Sequence, residues 1–138
     1  MNSDEKKKPL CTRERLSVLW IVVMFSMAFA DILTFVLPEA LNDLVMGTTD
    51  VIITQELLVV MAVFVQIPII MIYLSRVLNY KINRWANIIA SIITIIFVIG
   101  GGSFYLHYLF FASVEVLCLL LIIWYSWQWK VAEGTKNS

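Results

Sequence analysis

Residues Leu16–Leu37 read LSVLWIVVMFSMAFADILTFVL. A helix that crosses the hydrocarbon core of a bilayer needs about 20 mostly apolar residues, each adding about 1.5 Å of rise, and this run is long enough. Asp31 stands about two-thirds of the way along it. An acid near the centre of a spanning helix costs roughly 2.5–3.5 kcal/mol on insertion scales, which makes an intramembrane carboxyl a functional candidate by default. The run continues past Ala28-Phe29-Ala30 without a break to Leu37, so a full span explains it better than a cleavable leader ending before Asp31.

Working outward, the chain around this run has the same character. Of its 138 residues 61% are hydrophobic and only 14% charged, and the mean hydropathy is +0.88, well beyond the apolar share of about 45–50% in soluble domains. The composition is that of an integral membrane protein with one domain. Residues 1–15 are polar and carry Lys6, Lys7, Lys8, Arg13 and Arg15, a basic cytoplasmic tail. Pro38 stops the first span. After it, Leu41, Leu44 and Val45 form one side of a short amphipathic helix on the outer surface, with Gly47 as its cap and Asp50 or Thr49 capping the next helix.

Three more spans follow, at about residues 51–74, 85–102 and 104–127, within a membrane domain of residues 16–129. The second contains Glu56, Gln66 and Pro68, which leaves the Phe64 carbonyl without its helical donor. Asn83 is a plausible N-cap for the third, which ends in the turn Gly100-Gly101-Gly102-Ser103. The fourth carries His107, Glu115 and Cys118, and a second cytoplasmic tail takes residues 130–138. All ten Lys and Arg residues fall in the two tails or in the 75–85 loop. Four spans put those three segments on one side, and an excess of Lys and Arg marks the cytoplasmic side. Both termini are therefore expected inside. Trp85, Trp124, Trp127 and Trp129 with Tyr73 and Tyr80 would form the inner aromatic belt, and Phe104, Tyr105 and Tyr108 the outer one.

Helical spacing gives each span one semi-polar face. Trp20, Met24, Met27, Asp31 and Thr34 share one; Glu56, Val59, Val63, Gln66 and Tyr73 another. Asn87, Ser91 and Thr94 form the third, and His107, Phe111, Glu115, Cys118, Ile122 and Tyr125 the fourth. Such faces belong against other helices or water. The expected fold is all-α: an antiparallel four-helix transmembrane bundle.

Asp31, Glu56, His107 and Glu115 all fall in the outer half, where with Thr34 and Gln66 they would line an outward-opening pocket closed by Met24, Met27 and Phe111. No span has a Lys or Arg, so three acids have only His107 as a basic partner. An acid that finds no cation is neutralised by a proton or by a bound ligand. That favours a site for a small cationic or proton-coupled ligand, in a carrier that could work as a homodimer or larger complex. The other reading is a non-transporting accessory or scaffold subunit whose acids hold the bundle together. The residues themselves imply no cofactor and no catalytic residue, and the Glu-x-x-His and His-Glu-x-x-His metal patterns do not occur. Cys11 and Cys118 are too far apart along the membrane normal to pair, no CxxC is present, and no phosphate loop or basic nucleic-acid patch is found.

Leu19-Trp20-Ile21 with Ala30-Asp31, the segments Ser75-Arg76-Val77-Leu78 and Asn83-Arg84-Trp85-Ala86-Asn87, and Ile122-Ile123-Trp124-Tyr125 carry a resemblance. The chain resembles, over about residues 15–129, small bacterial membrane proteins of unknown function with an architecture similar to DoxX-like four-helix proteins. The resemblance implies a bacterial cytoplasmic membrane and brings no catalytic residues. DoxX-like relatives are linked to quinone and sulfur redox chemistry, which implies a redox-associated subunit as a further alternative.

Overall fold

The computed structural model describes residues 11–49, 52–100 and 105–129. Within them lie α1 (Thr12–Val36), α2 (Pro38–Met46), α3 (Gln55–Val77), α4 (Tyr80–Gly100) and α5 (Leu106–Gln128), with no strand among the described residues. All but α2 are long and apolar enough to cross a membrane. The basic residues outside 11–129, the cap at Asp50 and the turn beyond Gly100 fall outside the described residues.

The four long helices form a ring in which α1 packs on α3 and α5, and α4 on the same two. Neighbours run antiparallel. Arg13 at the start of α1 meets Arg76 at the end of α3, Arg84 near the start of α4 meets Trp127 at the end of α5, and Thr34 at the end of α1 meets His107 at the start of α5. The α1–α5 seam is the most extensive and the α3–α4 seam the thinnest. The starts of α1 and α4 and the ends of α3 and α5 therefore share one end of the bundle, which carries the arginines. We term it the basic end. The opposite end carries α2.

The core sits nearer the basic end. Leu16, Trp20, Val23, Leu119 and Ile122 are fully buried there, with Met71 and Trp129 beside them. Four local expectations need correction. The last four residues assigned to the tail, Thr12–Arg15, belong to α1, because Cys11 and Glu14 form a capping box and Arg13 and Arg15 lie over the rings of Trp129 and Tyr125. Asn83 is no N-cap: α4 starts a turn earlier, at Tyr80, and Asn83 is fully buried within it. α3 is capped by Thr54, whose hydroxyl accepts from the Leu57 amide, rather than by Thr49. Trp129 leaves the interfacial belt for the core, where it packs edge-on against Tyr80. Trp85, Trp124, Trp127 and Tyr73 stay exposed.

α2 starts with Pro38 at N1, where a missing N–H costs nothing. It stops at Gly47, whose φ of 68° is the left-handed conformation that closes a helix without a Cβ penalty.

Candidate functional site

At the end carrying α2 the ring does not close. A cavity of about 540 Å³ lies between the four long helices. Met27, Ala30 and Asp31 line it from α1, and Tyr108 and Glu115 from α5. Apart from Thr49, its other walls are apolar: Ile53, Leu57, Val60, Met61, Phe64 and Val65 on the α3 side, Phe97 and Val98 on α4. The Phe64 and Phe97 rings stack at 5.2 Å across the thin α3–α4 seam. This is the usual form of a small-molecule site, a mostly apolar concavity with a few polar groups on one wall.

Glu115 decides the chemistry of that wall. It lies nine residues into α5, about 14 Å from its start, and only 3% of its surface is exposed. Its carboxyl has no hydrogen bond or ion pair among the described residues. Asp31 is the more exposed of the two acids. A buried carboxyl without a partner forgoes the hydrogen bonds that buried polar groups almost always make.

The other expected site residues separate from this pair. Thr34 and His107 meet one turn nearer the end of the bundle, with Thr34 Oγ1 and His107 Nε2 3.0 Å apart. Thr34 donates its only hydroxyl proton to the Ala30 carbonyl at 2.8 Å, so in the contact with His107 it accepts and Nε2 is the protonated nitrogen. Tyr105 stacks on the same imidazole at 5.8 Å. Thr34 and Tyr105 also line a second, smaller cavity of about 330 Å³ against α2. Glu56 and Gln66 lie on the exposed side of α3 and line neither cavity. Met24 and Phe111 do not close the main cavity either; Met27 does line it, while Phe64, Phe97 and Tyr108 were not anticipated. Sequence spacing gives the face of one helix but not the rotation of that helix within the ring, so the aromatics of α3 and α4 carried no distinguishing signal.

Among the described residues, no three His, Cys, Asp or Glu side chains come together to hold a metal ion. Cys11 and Cys118 are both free thiols.

The opposite end shows what polar side chains do when paired. Asn87 Oδ1 accepts from Trp20 Nε1 at 2.8 Å and from Ser75 Oγ at 3.1 Å. Its Nδ2 donates to the carbonyl of Asn83 at 2.8 Å and to the Asn83 side chain. Asn83 Nδ2 donates to the Ser75 carbonyl at 2.7 Å. Ser17 Oγ donates to the Ile72 carbonyl at 2.9 Å and accepts from Arg76 Nε at 3.1 Å. The sequence placed Trp20 and Asn87 on inward faces but did not join them. The i, i+4 pair Asn83 and Asn87 was the available signal.

Four helices long and apolar enough to cross a membrane stand in an antiparallel ring, one end tied by polar side chains and the other open around two carboxyls. The chain belongs to a family of unknown function, DUF6326, whose model matches residues 3–135. No curated protein and no solved structure matches it.

Proposed function

We propose that this membrane protein binds, and as an oligomer carries, a small and largely apolar ligand bearing one cationic or proton-donating group. Glu115 supports this reading: a 3% exposed carboxyl, unpartnered among the described residues, on the wall of a cavity of about 540 Å³. Asp31 on the facing helix would share the ligand's charge, and the apolar residues of α3 and α4 would take its body. Tyr108 offers both a hydroxyl and a ring face that attracts cations. The arginine-bearing end would face the cytoplasm by the positive-inside rule, so the cavity would open outward.

A lipophilic tetraalkylammonium ion is the direct probe. Full-length protein in lipid nanodiscs is expected to bind it by calorimetry, more tightly as pH rises, because protons compete for the same carboxyls. Glu115→Gln should weaken binding about tenfold or more, as expected when a charge-assisted contact in a low-dielectric site is removed. Equal binding by Glu115→Gln and Asp31→Asn would end this reading in favour of the accessory subunit. The DoxX-like resemblance adds only architecture here, since Cys11 caps α1 at one end while Cys118 lies midway along α5.

A further inference from the structure

The semi-polar face of α3 turns away from the bundle. Glu56, Val59, Val63, Gln66, Ile70, Tyr73 and Val77 recur at alternating steps of three and four, a strict heptad seam, and every one is exposed. The residues that α3 gives to its own bundle, among them Phe64, Pro68, Met71 and Ser75, lie on the other side. The outward side of α4 repeats the same spacing, so what sets the α3 face apart is the polar Gln66 at its centre. On α4 the outward residues Ile89, Ile92, Ile96 and Ile99 are all apolar.

Gln66 is the informative member. It sits at the midpoint of α3, eleven residues from either end, about 16 Å into the helix. Its amide has no hydrogen-bond partner among the described residues. In contrast, the outward Ser113 on α5 closes onto its own helix through the Leu109 carbonyl at 2.8 Å. An amide has two donors and an acceptor with two lone pairs, more than a backbone carbonyl can satisfy, and hydrocarbon supplies no water.

We propose that α3 pairs with α3 of a second copy in a parallel two-helix seam, with Gln66 hydrogen-bonded to its equivalent across the two-fold axis. Copies inserted with one orientation are related by an axis along the membrane normal, which makes the two helices parallel and brings each seam residue beside itself. The primary amide is self-complementary. Val63, Ile70 and Val77 put β-branched residues one heptad apart at one of the two seam positions, as parallel two-stranded coils favour, and a polar residue at mid-seam such as Gln66 fixes register. Pro68 lies on the far side of α3 from the seam, buried in its own bundle, so its ring does not obstruct the pairing. The two main cavities would then lie back to back, with one α3 from each copy between them.

Oxidative cross-linking of the full chain in membranes tests this, with Cys11→Ser and Cys118→Ala as background. Single cysteines at Val59, Val63, Ile70 and Tyr73 are expected to form covalent dimers, and cysteines at Leu58, Ile92 and Ile96 are not. Gln66→Leu should lower the dimer fraction about tenfold in bilayer association measurements, while Gln66→Asn keeps most of it; a lone interhelical hydrogen bond in a membrane has effects of this order. Cross-linking through Ile92 or Ile96, equal yields along all of α3, a purely monomeric chain, or a Gln66→Leu variant that associates like the parent would each overturn the proposal.

Discussion

The two ends of the bundle use similar polar residues to opposite effect. At the basic end Trp20, Ser75, Asn83 and Asn87 occupy one buried cluster in which each polar side chain has a partner on another residue. Arg84 and Tyr80 add to this at the periphery: Arg84 donates to the Trp127 carbonyl at 3.0 Å, and Tyr80 donates to the Trp129 carbonyl. Those carbonyls belong to the last turn of α5 and its cap, where a helix leaves acceptors unfilled and where cations are favoured. At the other end two carboxyls line an open cavity and do not hydrogen-bond to described residues. Pairing is not complete at the basic end, where Ser126 Oγ and Trp129 Nε1 are buried without a partner among the described residues; what sets the two carboxyls apart is that they also line a cavity.

The largest effect should come from breaking the paired end. Asn87→Leu removes the acceptor shared by Trp20 and Ser75 and the donor to Asn83, leaving several buried groups unsatisfied. A loss of about 2–3 kcal/mol is expected, the cost of orphaned buried partners moderated by the modest net strength of hydrogen bonds in membranes. Thermal unfolding in detergent, followed by tryptophan emission, measures it. Glu115→Gln, at the open end, keeps the side chain's size and breaks no hydrogen bond to a described residue, so its cost should stay below about 1 kcal/mol, the net worth of an ordinary hydrogen bond. If Glu115→Gln destabilises as much as Asn87→Leu, the distinction between the ends fails and the carboxyl is structural.

Next in size is the shape of the cavity. Leu57→Trp adds a large ring to a wall residue and should block the tetraalkylammonium probe, lowering its affinity roughly tenfold or more, with the fold unchanged in the same unfolding assay. Phe97→Ala removes the ring that stacks on Phe64 across the thinnest seam. It should cost less than a fully buried aromatic, for which the loss is about 3–5 kcal/mol, because Phe97 is only partly buried. It should also admit a bulkier ammonium ion than the parent binds. A cavity that only fills with lipid would show neither change in selectivity.

The architecture was legible from the apolar runs alone. Runs of about 20 apolar residues leave few alternatives to helices, and Pro38, Gly47 and the basic 75–85 segment separate the elements. The lining of the cavity was legible only in part. Asp31 and Glu115 stand out as acids in apolar sequence and do share a cavity. Glu56 and Gln66 stand out equally, yet lie outside it, because periodicity shows that α3 has a polar face without showing whether that face meets its own bundle. Asn83 borders the apolar run, where a cap is expected, whereas its role depends on Ser75, a contact across a helix connection that spacing within one helix cannot reveal.

The smallest effect lies between the two ends in character. Thr34 is polar and paired, yet it stands at the open end, holding His107 Nε2 at 3.0 Å while donating to the Ala30 carbonyl. Thr34→Val keeps the shape and removes both bonds. The carbonyl it releases retains its place in the helix ladder, and the imidazole is only half-buried and still stacked on Tyr105, so water or lipid headgroups can replace the lost partner. The expected cost is therefore near the net worth of one ordinary hydrogen bond, about 0.5–1.5 kcal/mol. It should appear locally, as faster amide hydrogen exchange in the first turns of α5, with protection around Asn83 and Asn87 unchanged. Exchange that accelerates equally at both ends would mean that the ring opens as one cooperative unit, and the two ends would then differ in chemistry but not in stability.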